Sequence, residues 1–126
     1  MGDVVGLQLR ERVVIDSACL ELLCRRLGPH SAEGYLGERV EEISERLADI
    51  EWLARQGLMA EVPTDALRVA RLCAEIGLAS LARAARDLAQ VAEQGDSAAW
   101  GAVWQRVVRI GDKSLALVWE APGLSM

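Results

Sequence analysis

The stretch Ala66-Leu67-Arg68-Val69-Ala70-Arg71-Leu72-Cys73-Ala74-Glu75-Ile76-Gly77, continued by Leu78-Ala79-Ser80-Leu81-Ala82-Arg83-Ala84-Ala85-Arg86-Asp87-Leu88, decides the fold. Placed at about 100° per residue, Ala66, Val69, Leu72, Cys73 and Ile76 gather on one side as a core stripe, while Leu67, Ala70, Arg71 and Ala74 fall on or towards the opposite side. Leu67 is therefore expected at the surface. Bordered by small alanines and by Arg68 and Arg71, it has the make-up of a docking patch, an apolar anchor with a polar rim. This helix is predicted to begin near Pro63-Thr64-Asp65, where proline and a capping side chain suit a first turn, and to end at Gly77. The next helix runs from about Leu78 to Gln94 through Leu81, Ala82, Ala85, Leu88, Ala89 and Ala92. With so many alanines in its core positions, a neighbouring helix can approach it closely.

The helical period extends in both directions. Upstream, Asp16 reads as the N-cap of a first helix to Leu27, which Gly28-Pro29 ends. Ser31 is predicted to cap a longer second helix with the stripe Leu36, Val40, Ile43, Leu47, Ile50 and Ala54, stopped by Gly57. Downstream, Gly95-Asp96-Ser97 is a break followed by a cap, and Trp100, Val103, Trp104, Val107 and Ile110 share one face of the last helix. Trp100 and Trp104, one turn apart and in phase with the other apolar residues, are expected in the core. Gly111-Asp112 is expected to kink or end that helix before Leu115, Leu117, Val118 and Trp119. Trp52 and Trp119 fall out of phase, so either suits a partner surface. Val4-Val5-Gly6-Leu7-Gln8-Leu9 alternates weakly, and residues 1–14 are read as an extended N-terminal arm. Short connections imply antiparallel neighbours, so the expected fold is all-α, an up-down four-helix bundle with a short additional N-terminal helix lying across one end.

Composition sets the outer bounds. The 126 residues suit one domain that buries about two thirds of its unfolded surface. The 52% hydrophobic fraction lies in short spaced groups, which argues against disorder and against a membrane span of about 20 consecutive apolar residues. A soluble protein is expected, with no membrane partner. Met1-Gly2-Asp3-Val4-Val5 lacks the basic start and apolar run of a secretory signal, and a cytoplasmic site is expected by default. Asp and Glu outnumber Lys and Arg 19 to 14, giving a net charge of −5 that disfavours nucleic acid as a partner. The acids crowd between Ser31 and Asp65, whereas arginine leads from Ala66 to Leu88 (Arg68, Arg71, Arg83, Arg86), so one face is expected to be locally basic.

The inventory of reactive residues points away from catalysis. His30, the single histidine, lies between Pro29 and Ser31 in a predicted loop with no second ligand at zinc spacing. Cys19, Cys24 and Cys73 form no CxxC pair and read as small buried hydrophobes. No GxxxxGK[ST], GxGxxG or GxSxG element is present, and Glu41-Glu42 reads as a solvated helical face. The sequence thus predicts a binding protein: no catalytic residues, no metal and no cofactor.

At the third helix the chain resembles the histidine-containing phosphotransfer (Hpt) domains of bacterial phosphorelays. That family carries H-x-x-K-G in a helix that continues through small residues to a glycine, followed by a Leu/Ala-rich helix ending near Gly-Asp. Here Val69, Cys73, Ala74, Ile76 and Gly77 match in register, and Gly95-Asp96 follows. Upstream, Ile15-Asp16, Leu27-Gly28-Pro29 and the long acidic helix look like the family's first half, so the resemblance covers roughly Ile15 to Val118. It implies a bundle core over about residues 15–118 within one domain of residues 1–126. The departures fall on the motif itself. Leu67, Ala70 and Arg71 stand where the family has histidine, lysine and glycine. Leucine has no nucleophilic atom, and arginine crowds the approach that glycine leaves open. The resemblance therefore implies docking without phosphotransfer: a pseudo-phosphotransfer domain of two-component signalling that binds a response-regulator receiver or a histidine kinase through Leu67, Arg68, Ala70, Arg71 and Ala74. The alternative is a structural or assembly bundle, outside any phosphorelay, that forms a homodimer through the Leu67 face or the Trp119 region.

Overall fold

Asp16 opens the first helix as its spacing predicts. The Asp16 side chain accepts from the Cys19 N–H at 3.2 Å, and α1 runs over Ser17–Leu27. The computed structural model describes residues 12–120, so residues 1–11 of the expected arm lie outside the described residues. Everything folded within that span is helical: α2 is Pro29–Arg55, α3 Val62–Glu75, α4 Ala79–Gln94 and α5 Ser97–Leu117. One-turn 3-10 segments precede α3 (Met59–Glu61) and follow α5 (Val118–Glu120).

Two boundaries differ from the sequence reading. Ser31 caps nothing, because α2 already begins at Pro29. Gly28, at φ +84, reverses the chain in a single residue, and proline's fixed φ suits the turn that follows. His30 therefore sits in the first turn of α2, exposed, rather than in a loop. Gly111 does not end α5, which continues to Leu117. It is buried, and a Cβ there would stand 3.8 Å from Leu81 and 4.0 Å from Leu47. Both are ordinary contact distances, so the site has room for a Cβ, and the apolar residues beyond it continue the helix. Gly57, Gly77 and Gly95 do stop their helices, each with positive φ.

Consecutive helices pack in chain order, α1 on α2, α2 on α3, α3 on α4 and α4 on α5, and the α3–α4 pair is the most intimate. The core stripes predicted for α3 and α4 are buried, from Ala66 to Ile76 and from Leu81 to Ala92, and they meet Leu20, Leu36, Ile43, Ile50, Val107 and Ile110. Ala84, not assigned to the core stripe, is buried too. Alanine at 82, 85 and 89 lets the α4 backbone come close to its neighbour, and all three are buried.

The turn between α3 and α4 is clasped from outside. The segment before α1 crosses it: the Val14 N–H donates to Ser80 Oγ at 2.7 Å and the Asp16 N–H donates to the Gly77 carbonyl at 2.7 Å. Gly77 has φ +80, and a Cβ on it would stand 2.7 Å from the Asp16 carbonyl oxygen. Only glycine suits both the turn and the crossing chain.

Candidate functional site

The outer face of α3 carries Leu67 in mid-helix, 46% exposed, with Arg71 and Ala74 exposed along the same strip. The helical phase that placed these three at the surface also placed Ala70 there, and Ala70 is only 4% exposed. Ala70 and Arg68 lie on opposite flanks of Leu67. Arg68 reaches α2, so the Ala70 flank is the one turned towards α4, whose alanine-rich face comes near enough to cover a side chain of one carbon.

Arg68 is not a free rim charge. Its guanidinium donates through Nε and Nη2 to Glu42 of α2 at 3.3 and 3.2 Å. Glu42 also faces Arg39 at 3.9 Å and Arg46 at 3.8 Å, and Arg46 donates to Asp65 at 3.0 Å. The acid of α2 and the arginine of α3, read in sequence as separate blocks, thus neutralise each other across one seam. These side chains are a fifth to two fifths exposed, so the network orients α2 against α3 with modest energy.

Positive charge survives elsewhere. Arg71, Arg83 and Arg86 are exposed and make no ion pair among the described residues. Of the five residues expected to form the docking surface, Leu67, Arg71 and Ala74 stay together on it, Arg68 turns to α2 and Ala70 is covered. Arg83 and Arg86 are exposed on α4. The arginine-led composition of that helix was the signal for them.

A second concave feature lies between α2 and α5. Trp100 and Trp104, expected in the core, are only partly buried and stack at 6.0 Å with an interplanar angle of 7°. Trp104 borders a groove of about 250 Å³ lined also by Ser44, Leu47, Ala48, Val108 and Leu115, and Trp100 borders the recess next to it. Bulky indoles keep the two helices apart where alanine would have let them close. A wider recess of about 470 Å³ lies at the start of α3, where the exposed Trp52 borders Asp49, Glu61 and Asp65.

Among the described residues no cluster of His, Cys, Asp or Glu has the size to hold a metal ion. Cys73 is buried, and desolvation pushes its thiol up to about 12. Cys19 is raised as well, by burial first and by the neighbouring Asp16 carboxylate second, and its Sγ donates to the Glu75 carbonyl at 3.3 Å. Both thiols are held protonated, the form least able to attack or to ligate. No described helix is long and apolar enough to cross a membrane. No protein-family model matches the chain, and no curated protein or solved structure matches it either.

Proposed function

We propose that this chain is a pseudo-phosphotransfer domain: an antiparallel four-helix bundle, α2 to α5 with α1 as the additional N-terminal helix, that docks a response-regulator receiver or a histidine kinase without carrying phosphate. The observation that carries the reading is Leu67, outward at mid-α3 with the unpaired Arg71 one turn away. A phosphoacceptor needs a nucleophilic atom, and leucine has none. An exposed leucine beside unpaired guanidiniums suits the rim of a carboxylate-rich pocket, the kind a receiver presents. The rigid α3–α4 pair holds Leu67 in place before any partner arrives, which lowers the ordering cost of docking.

The test is to mix the purified chain with phosphorylated and unphosphorylated receivers encoded in the same genome. Binding without transfer of the phosphoryl group is expected. Leu67→Asp abolishes that binding and leaves the helical circular dichroism unchanged, since the side chain it alters is on the surface. Stable phosphorylation of the chain itself, or binding to none of those receivers, overturns the reading.

A further inference from the structure

We propose that the groove between α2 and α5 is one half of a symmetric interface, filled by the same groove of a second copy of this chain. Its floor and lips are apolar: Leu47, Trp104, Val107 and Leu115 line it, and Ala48 and Val108 stand exposed at its edges. At Glu51 and Trp104 it runs on into a recess of about 280 Å³ bounded by Ala54, Arg55 and Trp100, so the trough follows most of α5. The stacked indoles offer a large, rigid apolar surface whose burial drives association.

The charges at its two ends identify the occupant. Arg55 stands at the Trp100 end, 74% exposed, with only Glu51 one turn away at 3.7 Å. Asp112 stands at the other end, beside Ser44 and Leu115, and makes no ion pair among the described residues. A partner helix of one charge sign meets one matching end and one repelling end. A second copy meets both correctly. A two-fold axis lying across the seam, perpendicular to the line from Arg55 to Asp112, sets each copy's Arg55 over the other's Asp112 and turns each Val108 lip towards the opposing trough. Such self-complementarity is what an isologous dimer requires. Because helices pack in chain order, this seam lies on the side of the bundle away from the α3–α4 seam and leaves one Leu67 face free on each protomer.

The experiment is light scattering and sedimentation equilibrium on the full chain over a range of concentrations. A mass that rises to twice that of one chain is expected. Arg55→Asp and Asp112→Arg each weaken pairing by about tenfold, and the double reversal restores it. Both side chains are exposed, so helicity stays unchanged in every variant. A single-chain mass at all concentrations overturns the inference. So does a dimer indifferent to the single reversals, a double variant that fails to recover, or a dimer lost in Leu67→Asp. Receiver binding is measured separately, and its absence leaves the mass measurement unaffected.

Discussion

The two seams of this domain are built from the same helical periodicity and end up differently. Along α3–α4 the facing positions are alanines, Val69, Leu72 and Cys73; the helices close on each other, and even Ala70 disappears from the surface. Along α2–α5 the facing positions include Leu47, Trp100 and Trp104, and a groove remains. Small side chains let backbones approach and leave nothing for a partner to enter. Large ones prop the helices apart and expose their own flanks. The tight seam is suited to presenting a residue in a fixed position, and the loose seam to receiving one.

That contrast can be broken by substitution. The largest effect is expected where the tight seam turns. Gly77→Ala places a Cβ against the Asp16 carbonyl at positive φ, and a loss of about 3 kcal/mol should appear as a lower urea midpoint. Next comes overpacking. Ala85→Leu forces three further carbons into a buried contact and should destabilise by about 2 kcal/mol, whereas Ala48→Leu, at the exposed lip of the loose seam, should stay within about 0.5 kcal/mol in the same melt run dilute enough that the chain is a single copy. If both alanines tolerate leucine equally, the distinction between the seams is wrong.

The dryness of the tight seam can be read through Cys73. Its folded thiol titrates at about 12, above the ordinary value near 9 of the unfolded chain, so its contribution to stability is fully present below pH 9. That contribution is lost as pH rises from about 9 towards 12, by about 1 kcal/mol at pH 10. Denaturant melts of wild type and Cys73→Ala across that range should diverge in slope, and parallel curves would contradict a dry environment. The smallest effect is expected at the ion-pair network. Glu42→Gln leaves Arg68, Arg39 and Arg46 without their shared carboxylate and should cost less than about 1 kcal/mol at low salt, shrinking as salt is raised.

Much of the fold was legible in the chain. Asp16, Pro63, Gly77, Asp96 and Gly95 mark helix ends by local chemistry, and local chemistry does not depend on what packs nearby. The stripes of α3 and α4 were legible for the same reason: period alone puts Val69, Leu72, Leu81 and Leu88 inside. Gly111 misled because a glycine in mid-helix lowers helix propensity without ending a helix whose flanking apolar residues are packed. Trp100 and Trp104 pack against the core as phase predicts but stay partly buried, because phase fixes direction and not distance. They point towards the next helix, and their bulk keeps it away.

For the candidate site, the sequence by itself determined that Leu67 faces outward and carries no nucleophile, since helical phase and side-chain chemistry are properties of the residues alone. Tertiary structure decided the rest. It turned Arg68 to Glu42, buried Ala70 and left the α2–α5 seam open. Each of those outcomes depends on how near a second helix comes, and that distance is set by the summed size of side chains on both partners, which no single stretch of sequence contains.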